Sequence, residues 1–148
     1  MKRTFGNFIE RLLGGGTKLT DVEFALLQQL IVSLPPPLRS VVESQFEAYN
    51  LVQREIDGRA LNFYRKKGGR ANNMDGLPLL EMTVEEAPLV RLTANISGDS
   101  EPLHATLNAI SGRVFCMALS RSVRTEGNVT VTDVKEAWRS NFRYEKVA

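Results

Sequence analysis

The spacing of apolar residues changes once along the chain, near residue 60, and this change constrains the fold most. Up to about residue 50, apolar side chains recur every three or four residues, which is the period of a helix with one buried face. From residue 61 onward they recur at every second residue, the period of a strand with one buried face. Because helices come first and strands afterwards, this order predicts an α+β fold with a helical hairpin packed on a sheet.

Two helices are predicted before the change of period. Thr20 followed by Glu23 has the spacing of a capping box, and an apolar stripe follows it. The three prolines at 35–37 end this first helix, and the last of them suits the first turn of a second helix that we expect to run to about Leu51. The two stripes consist of Leu26, Leu27, Leu30, Ile31 and Leu34, and of Leu38, Val41, Val42, Gln45, Phe46 and Tyr49.

The second part of the chain predicts an antiparallel β-meander of about five to six strands. Alternating patterns cover residues 80–84, 90–96 and 103–109, an apolar run covers 114–119, and a short strand is predicted at 129–131. Residues 52–56 fit either the last turn of the second helix or a strand that turns at Asp57 and Gly58. A curved sheet and a flat two-layer plate fit this pattern equally well.

A short C-terminal helix is predicted to close the fold. The order Thr-Asp-Val at residues 132–134 also occurs at residues 20–22, where it marks the predicted start of the first helix. In this interpretation Val134, Ala137 and Trp138 face the core.

Residues 1–16 form a separate segment, and residues 17–148 form a single α+β domain. Apolar side chains at helical spacing predict an amphipathic helix, and the three glycines at 14–16 predict a hinge after it. Such an arm packs on its own domain, docks on a partner or exchanges with a second copy. We do not expect it to bind a membrane, because its polar face carries only three basic residues. The residues of this interaction arm are Phe5, Phe8, Ile9 and Leu12.

The charge and the cysteine count exclude several classes of protein. The 148 residues carry a formal net charge of +2, an excess too small to indicate nucleic-acid binding by itself. Cys116 is the only cysteine, so no disulfide can form within the chain and no cysteine-rich metal site is available. No apolar run reaches the length of about 20 residues that crosses a bilayer. We therefore expect a cytoplasmic protein without a transmembrane segment.

The residues available for catalysis are few. His104 is the only histidine and no nucleophile motif accompanies it, so we expect either a solvated side chain or a polar contact with a neighbouring strand. Cys116 lies in the most apolar predicted strand, where cysteine acts as a small apolar residue. Glu81, Glu85 and Glu86 lie close together in sequence, but a solvated strand face accounts for them. The sequence predicts no metal, no cofactor and no catalytic residue.

One loop concentrates positive charge. Lys66, Lys67 and Arg70 lie in a stretch rich in glycine and asparagine that contains no acidic residue from 59 to 73. This basic loop could present its charges to phosphate or to an acidic protein, while pairing with acidic neighbouring strands is the structural alternative. We do not expect nucleic-acid binding, because only Phe63 and Tyr64 offer rings for base stacking nearby.

Two functions of different classes fit the sequence. The preferred one is a non-catalytic interaction or regulatory module that associates with itself or with a partner protein through the arm or the basic loop. The alternative is a pocket protein that binds or converts a small molecule between the sheet and the helices. The polar groups expected to line such a pocket are those of Tyr49, Arg91, His104 and Trp138.

Overall fold

Two helices cover one face of a six-stranded antiparallel sheet in the computed structural model, which describes residues 18–70 and 72–144. The predicted arm at 1–16 lies outside the described residues. The first helix, α1 (Asp21–Val32), begins with the capping box expected from the sequence, because Thr20 and Glu23 exchange side-chain to backbone hydrogen bonds. The second helix, α2 (Pro36–Ala48), begins at a proline, as predicted.

The second helix ends earlier than expected, because the residues after it form a strand. Strand β1 (Leu51–Arg54) turns at Asp57 and Gly58 and pairs with β2 (Ala60–Tyr64). Gly58 has a φ of 72° and the Arg59 N–H donates to Oδ1 of Asp57 at 3.0 Å. The hairpin alternative for residues 52–56 is therefore correct.

The central strands follow the alternating patterns of the sequence. Strands β4 (Glu86–Ile96), β5 (Leu103–Ile110) and β6 (Arg113–Leu119) are consecutive neighbours, and β2 pairs with the outer side of β6. The strand order is β1-β2-β6-β5-β4-β7, with β1 and β7 at the two edges. The α+β class and the helical hairpin on an antiparallel sheet are confirmed.

The edge strand β7 (Val129–Lys135) corrects one sequence prediction. It pairs antiparallel with β4 over residues that were expected to begin the last helix. Val134 lies on this strand and is exposed. The β-branched residues along the segment favour a strand, and pairing with β4 outweighs the local capping pattern at Thr132. The final helix, α3 (Trp138–Asn141), is only four residues long.

A second, two-stranded sheet joins the end of the described chain to the segment before β4. Strand β3 (Glu81–Met82) pairs with β8 (Phe142–Arg143). The strand predicted at 80–84 is thus only two residues long and lies outside the six-stranded sheet. Glu81 and Glu85 accordingly do not share one strand face, and both are exposed to solvent, as is Glu86.

The core lies between the two helices and the sheet. Both predicted leucine-rich stripes are buried in it, together with one face of β2, β4, β5 and β6. Phe46 packs edge-on against Tyr49 and Phe63, with ring centroids 5.1 and 4.9 Å apart. This aromatic cluster joins the end of α2 to the sheet.

A buried polar network holds α2 to the turn between β5 and β6. The side chain of Gln45 is fully buried, donates from Nε2 to the carbonyls of Pro78 and Gly112 at 3.0 and 2.9 Å, and accepts from the Val114 N–H at 2.9 Å. The Tyr49 hydroxyl donates to the Val114 carbonyl, and burial raises the pKa of this phenol far above its ordinary value. The network satisfies buried backbone groups of Gly112 and Val114.

Glu23 connects the first helix to the edge of the sheet. Its carboxylate is buried and accepts from Arg54 Nε at 2.8 Å, while it also accepts from the Thr20 N–H at 2.9 Å. The capping residue therefore fixes the position of β1 as well as the start of α1. Because the Arg54 guanidinium hydrogen-bonds this carboxylate, the pKa of Arg54 is raised.

Candidate functional site

The helices leave the opposite face of the sheet uncovered, and a cleft of about 390 Å³ lies on it near the β7 edge. Strands β4, β5 and β7 each contribute two polar side chains to this cleft. Strand register arranges them in two parallel rows that cross the three strands. The first row is Lys135, Arg91 and Thr106, and the second row is Asp133, Thr93 and His104.

Two positive charges face each other in the first row. Arg91 on β4 is the register partner of Lys135 on β7, so the two side chains lie next to each other on the same face. Both are exposed, and within residues 18–70 and 72–144 neither side chain forms a hydrogen bond or an ion pair. Like charges directly opposite each other destabilise a sheet, so this pairing does not itself stabilise the fold. An anionic group bound between them would relieve the repulsion.

The second row carries an acid, a hydroxyl and an imidazole. Asp133 is the register partner of Thr93, and Thr93 is the partner of His104. Thr93 Oγ1 lies 3.0 Å from Nδ1 of His104, and this contact orients the ring. The backbone N–H of His104 donates to Ser120 Oγ at 3.0 Å, which ties β5 to the end of β6. Asp133 limits where an anion can bind, because its carboxylate repels a second acid placed beside it.

The four residues expected to line a pocket do not come together. Arg91 and His104 share the cleft on the uncovered face. Tyr49 lies on the other side of the sheet, buried against Phe63, because the helix stripe that carries it faces the core. Trp138 is also buried, and its indole N–H has no hydrogen-bond partner in the part of the chain that the structure describes. A pocket between the sheet and the helices is therefore not formed by this set.

Asp133 and Lys135 are the cleft residues that sequence reasoning missed. Both lie in the segment that was assigned to the beginning of a helix. The signal that could have found them is the run of β-branched residues from Val129 to Val134, which continues past the predicted strand end. Extending the strand by four residues places Lys135 on a strand rather than in a helical turn.

The basic loop is a short hairpin turn. Lys67 and Arg70 bond each other through their backbones, and Gly68 and Gly69 between them have φ values of 61° and 77°. The side chains of Lys66, Lys67 and Arg70 are all exposed, as predicted for a solvent-facing patch. Unlike Arg91 and Lys135, these three side chains do not line the cleft on the uncovered face.

Cys116 lies on β6 between Asn62 and Asn108 and is buried. Burial raises the pKa of its thiol to about 11, so at neutral pH it is protonated.

Across the described residues, no group of three or more His, Cys, Asp or Glu side chains could hold a metal ion. None of the described helices is long and apolar enough to cross a membrane.

A second groove of about 350 Å³ lies between α2 and the two-stranded sheet. Its walls are mainly apolar, and the one pair of opposite charges on it, Glu81 and Arg143, are register partners. None of the residues predicted for the basic loop or the pocket lines this groove. The groove is lined by Pro37, Leu38, Val41, Leu79, Leu80, Glu81, Arg143 and Tyr144.

Comparison with protein families, with curated proteins and with solved structures finds no match for this chain.

Proposed function

We propose that the protein is a non-catalytic interaction module that binds an acidic segment of a partner protein in the cleft on the uncovered face. The observation that supports this most is that the side chains of Arg91 and Lys135 lie side by side across two strands and pair with no described residue. Arginine and lysine at this spacing can donate to the two oxygens of one carboxylate. The exposed position at the sheet edge leaves room for a polypeptide rather than only for a small molecule.

The proposal is tested with two synthetic heptapeptides, acetylated and amidated at their ends. The acidic peptide is Thr-Glu-Val-Thr-Val-Thr-Thr, and the neutral peptide has glutamine in place of glutamate. Titration of the ¹⁵N-labelled protein, followed by NMR, gives an affinity for each. We expect the acidic peptide to bind at least about ten-fold more tightly, equal to about 1.4 kcal/mol, and its affinity to fall as salt is added. Equal affinities, or no binding of either peptide, would contradict the proposal.

A matched pair of double variants distinguishes a specific effect of the cleft from an effect of net charge. Arg91→Gln with Lys135→Gln removes both cleft cations, and Lys66→Gln with Lys67→Gln removes two cations from the exposed basic loop. Both variants change the net charge equally. The cleft variant should lose about ten-fold or more of its affinity for the acidic peptide, and the loop variant less than about two-fold. An equal loss in both would show that only net charge matters.

A second candidate function is a pocket for a small anionic molecule. The observation that favours it is the presence of His104, oriented by Thr93, in the same cleft as Arg91. Titration with succinate and with inorganic phosphate tests it under the same conditions. If either free anion binds more tightly than the acidic peptide, the small-molecule function is supported over the interaction module.

Self-association, which the sequence led us to expect, stays a prediction. Native mass spectrometry of the full-length protein over a range of concentrations tests it. A dimer that persists at low micromolar concentration would support it, and a monomer throughout would contradict it.

A further inference from the structure

The outer edge of β7 is the second unusual feature of the cleft region. β7 has seven residues and pairs with β4 on one side, and no described residue pairs with its other side. The edge strand at the opposite end of the sheet, β1, has only four residues. A long open edge of β-branched residues readily pairs with another extended chain.

The hydrogen-bond pattern between β4 and β7 shows which backbone N–H groups of β7 point away from β4. Ser97 N–H donates to the Asn128 carbonyl at 3.0 Å, one step before the register pair of Ile96 and Val129. In an antiparallel ladder, bonded and non-bonded pairs alternate, so Thr130 bonds to β4 while Val129 and Val131 direct their N–H groups outward. A β-bulge at Thr132 ends this regular part of the edge.

From these observations we infer that the partner segment adds to the outer edge of β7 as a seventh strand. The inference rests on the proposed function, because it says how the acidic segment reaches Arg91 and Lys135. The segment pairs with the free N–H groups of Val129 and Val131, and its carboxylate lies at the Lys135 end of the edge. Charge complementarity favours this occupant, since Arg91 and Lys135, which pair with no described side chain, lie on the first row beside the edge.

Asp133 sets the charge pattern that the segment must have. Its carboxylate lies on the same face as Lys135, two residues earlier on β7. An acid in the segment is therefore attracted at the Lys135 end and repelled where it would lie next to Asp133. For an antiparallel segment, this favours an acid near its N-terminal end and hydroxyl residues after it, as in the acidic peptide.

Amide hydrogen exchange, resolved by NMR, tests strand addition on the full-length protein. At saturating acidic peptide, the amides of Val129 and Val131 should exchange at least about ten-fold more slowly. The amide of Thr130 serves as an internal control, because β4 already protects it, and its rate should change much less. If the peptide binds but the two valine amides exchange at unchanged rates, strand addition is wrong and the proposed function stands. If the peptide does not bind, both fail.

Proline variants give a second readout that does not depend on exchange. Val131→Pro removes an outward N–H while keeping the ladder to β4, and Val131→Ala removes a similar part of the side chain while keeping the N–H. The proline variant should bind the acidic peptide at least about five-fold more weakly than the alanine variant, and equal affinities would contradict the inference. If Val131→Pro does not fold, Val129→Pro and Val129→Ala replace the pair at the first residue of the strand.

A second copy of the chain is the other occupant that the edge could take. Native mass spectrometry of Val131→Pro and Val131→Ala distinguishes it. A dimer in the alanine variant that is lost in the proline variant would mean that the edge pairs with itself, and would overturn the inference of a partner segment.

Discussion

The polar side chains on the two faces of the sheet differ in their hydrogen bonding. On the helix-covered face, Gln45 and Tyr49 are fully buried and bond backbone groups around Gly112 and Val114. On the uncovered face, Arg91 and Lys135 lie next to each other without a bond in the described residues. The first arrangement stabilises the fold and the second opposes it. The covered face therefore specifies the structure, and the uncovered face is the one to which we assign the proposed function.

The largest expected effect of a substitution is at Gln45, on the covered face. Gln45→Ala leaves the buried N–H of Val114 without a partner and removes one of the two donors to the Gly112 carbonyl, which also accepts from the Leu80 N–H. The unsatisfied N–H costs about 1–3 kcal/mol and the cavity left by the side chain adds to this cost, so the free energy of unfolding should fall by about 3 kcal/mol. Urea denaturation measures this loss. The matched control is Gln29→Ala at an exposed position of α1, where we expect less than about 0.5 kcal/mol.

Tyr49→Phe should have the next largest effect, about 1–3 kcal/mol, because the Val114 carbonyl loses its side-chain donor. The control is Tyr64→Phe, at a half-buried ring on β2.

Tyr49 also makes the stability of the protein depend on pH. Its folded pKa is raised above 10.0, so its contribution to stability is complete below pH 10 and decreases as the pH rises above 10. The parent should lose stability more steeply than Tyr49→Phe in this range, and identical slopes would contradict the burial of a neutral phenol.

Thr20→Ala should lower the free energy of unfolding by about 1 kcal/mol, because it removes the side-chain acceptor for the Glu23 N–H at the start of α1. Ser40→Ala, at an exposed position in α2, is the control and should leave stability unchanged. A similar loss in both variants would mean that the cap does not stabilise the covered face.

Local signals account for most of what the sequence predicted correctly. The cap at Thr20, the proline start of α2 and the turn at Gly58 depend on neighbours within a few residues, so the pattern alone locates them. The buried stripes were also found, since period alone identifies the face of an element that is buried.

Long-range pairing accounts for what the sequence did not predict. The pattern around Thr132 resembles the cap at Thr20, and only the pairing of β7 with β4 makes it a strand. For the same reason Lys135 and Asp133 were missed as site residues. The alternation at residues 103–109 places His104 on the face opposite the buried one, so the assignment of Tyr49 and His104 to one pocket was wrong on the pattern itself.

The most direct test of the contrast between the two faces is a substitution at Lys135, for which we expect the smallest change in stability. Lys135→Gln removes one of two like charges that face each other across β4 and β7, without cutting a bond in the described structure. If Lys135 is present for binding, urea denaturation at low salt should show a free energy of unfolding that is unchanged or higher by about 0.2–0.5 kcal/mol. A loss of more than about 1 kcal/mol would show that Lys135 stabilises the fold, and would contradict the division between the two faces.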